Sequence, residues 1–239
     1  MLRAALKVGI RCYSNETKRF VVRQPKSSNR GLLIGIFGAS FGLGWFVTQH
    51  MTFTDFMAKY MFDNVPENDE GLLKYKAQLQ HRLDNLKVVQ QLKQVGYTEI
   101  FPKAQNNKAN KTLVDNTLMV PGGIAIAPRF FYDAKTKQTV GIYHLGMKLT
   151  GYPFLVHGGI LATVMEDLMR VSVMLAKGVK SEKTKDLTLN YKFPTLANQF
   201  VVVRITQVEE NGRNIKLHAE LMDQSGDRTL VKGTGRFKC

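Results

Sequence analysis

Glu166 and Asp167 stand side by side, eight and nine residues beyond Gly158. Gly158 opens a Gly158-Gly159 pair that follows His157. These residue types supply two halves of a reaction at a carbonyl group. A carboxylate can attack the carbonyl carbon or take a proton from water. Unpaired N–H groups at a helix start carry partial positive charge and stabilise an oxygen that turns negative. Glycine lets a ligand come close to that backbone. Distance restricts how the halves meet. On one helix, Gly158 and Glu166 would lie ~12 Å apart along the axis at 1.5 Å per residue. Each must act within about 3 Å of neighbouring atoms. A two-fold dimer with antiparallel helices meets that demand, with Gly158 from one subunit and Glu166 from the other.

The elements around these residues follow from periodicity. Residues 160–176 are apolar almost all round, which predicts a long buried helix reaching about Lys177. Thr163, Glu166, Asp167 and Arg170 are its polar positions, and their spacing predicts one stripe. That stripe either lines a cleft or faces water, with Asp167 and Arg170 as a weak surface pair. Before the helix, residues 117–133 and 139–149 read as two strands joined by a turn, DAKTKQ, at 133–138. Pro121 and Gly122-Gly123 predict a bulge or a late start in the first. After the helix, DLTLNYKF, QFVVVRITQVEE, RNIKLHAELMD and RTLVKGTGRF read as four strands. Asn211-Gly212 and Ser225-Gly226-Asp227 are hairpin turns between the last three. Short links favour an antiparallel meander of all four. The fold class is α+β: an antiparallel sheet wrapped around a long central helix.

The front of the chain reads as an address and an anchor. Residues 1–30 hold eight Lys or Arg against the single acid Glu16, which accounts for about half of the net charge of +15. Residues 1–13 have the composition of a mitochondrial presequence, with cleavage expected after Tyr13. Cys12 then leaves with it, Cys239 remains, and no disulfide framework is expected. Residues 31–51 carry no charged side chain and are long enough for a transmembrane helix, which needs roughly 20 apolar residues. Trp45 fits an interfacial aromatic belt. The basic N-terminal flank predicts a single-pass protein of the mitochondrial inner membrane with its main domain in the intermembrane space. Residues 52–112 read as a linker that contains one amphipathic helix, 72–95, with Gly96 as its C-cap. A final domain covers 113–239.

No P-loop, dinucleotide fingerprint or zinc-ligand spacing occurs, so neither a metal nor a separate cofactor is expected. A basic balance can signal nucleic acid, but here the leader explains much of it, and no nucleic-acid partner is expected.

The run Gly151-Tyr152-Pro153-Phe154-Leu155-Val156-His157-Gly158-Gly159, followed by Leu161-Ala162-Thr163 and the acid pair, resembles the HGG signature of hotdog-fold acyl-CoA thioesterases. It is similar to the PaaI-type thioesterase superfamily and its fungal mitochondrial members over roughly 113–239. That resemblance implies hydrolysis of the thioester of an acyl-CoA by a homodimer or higher oligomer, with coenzyme A present only as part of the substrate. It implies that the Gly158 amide polarises the thioester carbonyl and that His157 shapes the turn. Glu166 takes the acid position, as nucleophile or general base, and Asp167 is a second candidate. Thr184 matches a position where a hydroxyl orients water. Relatives often carry asparagine six residues before the histidine, where this chain has Gly151. Gly159 would lie against the ligand. The basic run Lys177, Lys180, Lys183 and Lys185 is either a solvated loop or a contact for coenzyme A phosphates or anionic lipid. The alternative function is a non-catalytic hotdog module that binds acyl groups or helps assemble an inner-membrane complex.

Overall fold

The computed structural model describes residues 30–50, 68–101, 112–178 and 182–239 of the 239-residue chain. The expected presequence with Cys12, much of the 52–112 linker and Lys180 lie outside the described residues. The chain falls into two units divided between Leu43 and Gly44, within helix α1 (Arg30–His50).

Helix α1 matches the expected anchor to within one residue at each end. Its described apolar side chains, Ile34, Phe37, Phe41, Leu43 and Trp45 among them, are all exposed. Among the described residues, however, no helix is long and apolar enough to cross a membrane.

The expected single helix 72–95 is two. Helix α2 (Glu70–Asp84) starts where the Asp69 carboxylate accepts the Leu72 N–H at 3.0 Å. It stops at Asn85, whose N–H turns back to the His81 carbonyl. Helix α3 (Lys87–Val95) then restarts and closes at Gly96 in the left-handed conformation. Leu72, Tyr75, Leu79 and Leu83 of α2 and Val88, Val89 and Leu92 of α3 are buried along one stripe. The helix spacing of the buried residues therefore survives the break.

Seven strands make one antiparallel sheet in the order β1-β2-β3-β7-β8-β9-β6. They are β1 (Thr98–Ile100), β2 (Arg129–Asp133), β3 (Gln138–Leu145), β6 (Lys183–Tyr191), β7 (Gln199–Asn211), β8 (Asn214–Met222) and β9 (Thr229–Lys238). A small separate hairpin, β4 (Thr150–Tyr152) with β5 (Leu155–Val156), leads into helix α4 (Gly158–Lys177). Three readings change. The strand expected from 117 begins only at Arg129, because residues 114–118 form a π-helical turn and Pro121 to Gly123 turn again. The strand expected to run to 149 ends at Leu145, and a 3-10 turn, Met147–Leu149, takes its last residues. The meander covers β7, β8 and β9 only, since β6 pairs with β9 at the far edge and β7 pairs with β3.

Helix α4 packs on the inner face of this sheet. Tyr143 and Leu145 of β3, Val201, Val203 and Ile205 of β7, and Phe237 of β9 point toward it and join Val164, Met165, Leu168 and Met169 in one core. Close approach depends on glycine in β9. A Cβ at Gly233 would sit 2.7 Å from Met165 Cε, and one at Gly235 would sit 2.7 Å from Met169 Sδ. The outer face carries a second core. Phe131, Val140, Ile142, Phe200 and Val202 alternate outward and are covered by α2 and α3. Burial on both faces explains why QFVVVR is apolar without a break. Beyond that cover the outer face turns polar, with Glu220 paired to Lys232 at 2.6 Å and Asp186 to Arg236 at 2.8 Å.

Candidate active site

The start of α4 is built by the residues that precede it. His157 is its N-cap, with extended backbone (φ −63°, ψ 134°), and its Nδ1 accepts the Gly159 N–H at 3.0 Å. The His157 N–H is tied to the Leu149 carbonyl at 2.9 Å, which fixes how the hairpin enters the helix. The His157 ring lies over Gly151, where a Cβ would meet Cδ2 at 2.6 Å. The chain's glycine at that position thus makes room for the imidazole.

The two glycine amides differ. The Gly159 N–H is taken by His157, so it is not presented to a ligand. The Gly158 N–H pairs with no acceptor among the described residues. The carbonyl of its own peptide unit, His157 O, accepts from both Ile160 N at 2.9 Å and Leu161 N at 3.3 Å. Two bonds on that carbonyl draw electron density away from the Gly158 N–H and make it a stronger donor.

The neighbouring acids also part company. Glu166 is partly exposed, and its Oε1 accepts the Thr184 hydroxyl of β6 at 2.7 Å. One turn on, Arg170 Nε donates to Glu182 Oε1 at 2.7 Å, a carboxylate whose side chain is only 4% exposed. These two bonds fasten the outward stripe of α4 to the start of β6. Asp167 leaves the stripe. It is 8% exposed and accepts the hydroxyl of fully buried Tyr143 at 2.9 Å. The surface pair of Asp167 with Arg170 does not form, because Glu182 holds the guanidinium and Asp167 faces the sheet. Of the lysines, Lys177 pairs with Glu210 at 2.5 Å and Lys185 reaches Asn214 Oδ1 at 3.0 Å. Lys183 is exposed in β6.

Burial raises the Asp167 carboxyl to about 6, with the Asp115 charge adding to it and the Tyr143 hydroxyl and Arg170 opposing. The sign for stability follows. An unfolded aspartate ionises near 3.9, so between about pH 4 and 6 the native state holds the extra proton. Stability from this group is full below pH 4 and is lost as pH rises through 6. The two-unit gap corresponds to about 3 kcal/mol. Asp167→Asn keeps an acceptor for Tyr143 and cannot ionise. It should raise stability at pH 7 to 8 and flatten that pH dependence, as read from denaturation midpoints between pH 4 and 8.

Comparison with known proteins gives the lineage. The sequence matches no protein-family model. It is 50% identical over 230 residues to the uncharacterized mitochondrial membrane protein FMP10 of Saccharomyces cerevisiae, covering 95% of this chain and 92% of the relative. The chain belongs to the FMP10 family. The acyl-coenzyme A thioesterase THEM4 of Mus musculus is 26% identical over 164 residues, 68% of each chain. Among solved structures, the PaaI protein of E. coli aligns at 14% identity with a TM-score of 0.39, over 43% of this chain and 72% of that one.

Within this FMP10-family chain, three residues near the site had no signature in the sequence. Tyr143 and Glu182 read in the sequence as ordinary strand and loop residues. Tyr191 ends β6, and its hydroxyl donates to the Gly158 carbonyl at 2.9 Å. All three act through tertiary contacts, which spacing along the chain does not encode.

Proposed function

We propose that the chain is an acyl-CoA thioesterase. The observation that carries this reading is the division of labour on α4: an unpaired Gly158 amide at its start and, on its outward stripe, a Glu166 carboxylate held by Thr184 at 2.7 Å. The Gly158 N–H binds the thioester oxygen as it becomes negative. Glu166 takes a proton from water as the water oxygen adds to the carbonyl carbon. The carbon–sulfur bond then breaks, and the thiol leaves with a proton. Thr184 keeps the carboxylate aimed. Asp167 holds Tyr143 inside the core and takes no part. The spacing on one helix requires two copies, so the working unit is a homodimer with each site shared.

The same reading places the protein in the mitochondrial inner membrane, anchored by α1, with the catalytic domain in the intermembrane space. Support comes from the exposed apolar side chains of α1 and the basic residues before it. Protease digestion of mitoplasts should remove the domain; survival until the inner membrane is dissolved would reverse the orientation.

Thiol release by the purified full chain, across acyl-CoA chain lengths, tests the activity. Hydrolysis lost in Glu166→Ala but kept in Asp167→Asn is the expected result. A folded dimer that releases no thiol from any acyl-CoA would instead make the chain a binding or assembly module.

A further inference from the structure

The structure assigns Tyr191 as a positioning residue for the start of α4, a role that rests on the thioesterase reading for its catalytic consequence. Two glycines in succession make a weak start to a helix, since glycine costs about 1 kcal/mol relative to alanine in a helix interior. Something must hold them. The peptide unit between Gly158 and Gly159 is gripped at both ends. Its carbonyl, Gly158 O, accepts the Tyr191 hydroxyl at 2.9 Å. Its N–H, on Gly159, donates to His157 Nδ1 at 3.0 Å. Tyr191, one peptide plane and His157 thus form a single chain of hydrogen bonds.

The chain has direction. The tyrosine donates, the peptide passes the polarisation on, and the imidazole accepts at Nδ1. A neutral His157 must therefore carry its proton on Nε2. Bonds in such a series strengthen one another. The Tyr191 ring stands beside Gly158, 3.4 Å from where a Cβ there would be. The preceding plane is held through the His157 carbonyl, so holding this one as well restrains the Gly158 dihedrals from both sides and keeps the Gly158 N–H in its direction. Tyr191 touches no reacting atom. It acts through the glycine, and it reaches across from the last residue of β6, the strand that also brings Thr184 to Glu166. One strand therefore sets both ends of the machinery on α4.

Tyr191→Phe removes the hydroxyl and leaves the ring. In the full-length protein two independent measurements follow. By NMR, the Gly159 amide proton should move upfield and the His157 ring nitrogens should shift, while distant amides stay in place. In steady-state thiol release, kcat should fall about five- to tenfold, the range of one hydrogen bond, with KM unchanged. Unchanged Gly159 and His157 resonances would overturn the relay whether or not the protein has activity. A shifted Gly159 with an unaltered kcat would overturn the positioning role. Absence of thiol release in the wild type would count against the thioesterase reading alone, and the resonances would still decide the relay.

Discussion

Glu166→Gln should lower the rate of thioester hydrolysis by about 10²- to 10⁴-fold, the span typical of removing a general base or nucleophile. The glutamine retains the length of the side chain and an oxygen to accept the Thr184 hydroxyl, now 2.7 Å from Glu166 Oε1. Folding should therefore be untouched, and the loss should appear in kcat rather than KM. Single-turnover thiol release beside a thermal melt checks both. A variant that keeps more than a tenth of the wild-type rate would remove Glu166 from the mechanism.

Gly158→Pro should cost about 10²- to 10³-fold in kcat, as loss of an oxyanion donor does. Proline is an unusually clean probe here. Gly158 is the first residue of α4, the position where proline is favoured because its missing N–H has no partner in the helix. The preceding His157 already has the extended backbone that proline demands of its neighbour. The ring's Cβ falls at ordinary contact distance, 3.4 Å, from Tyr191. The substitution thus deletes one N–H and little else. Gly158→Ala keeps the N–H and serves as the control; its kcat should stay within a few-fold of wild type. If proline and alanine variants are equally active, the amide is not the donor.

The limits of α4 were legible because punctuation marks them: His157 and two glycines at the start, Lys177 and Gly178 at the end. The strands β7, β8 and β9 were legible from their runs of strand-forming residues and from Gly212 and Gly226 in their turns, both with positive φ. The place of β6 was not. A strand pattern says that residues pair, but not with which neighbour, and the link from 192 to 198 is long enough for β6 to lie beside β9 rather than β7. The break at Asn85 was hidden for a related reason: Leu83, Leu86 and Val89 keep helical spacing through it. At the site, the sequence offered two adjacent acids and could not rank their directions. Adjacent residues on a helix point about 100° apart. On a helix apolar nearly all round, either could face the sheet. Packing decided, through Tyr143 on one side and Thr184 on the other.

The double-sided sheet bears on where this protein can be cut. A boundary at residue 113 follows the end of the family resemblance, yet it would strip α2 and α3 from Phe131, Val140, Ile142, Phe200 and Val202. Those side chains would then form an open greasy strip on central strands, the sort of surface that drives chains to clump. A fragment meant for solution work should therefore begin ahead of Asp69, so that the two helices travel with the strands they shield.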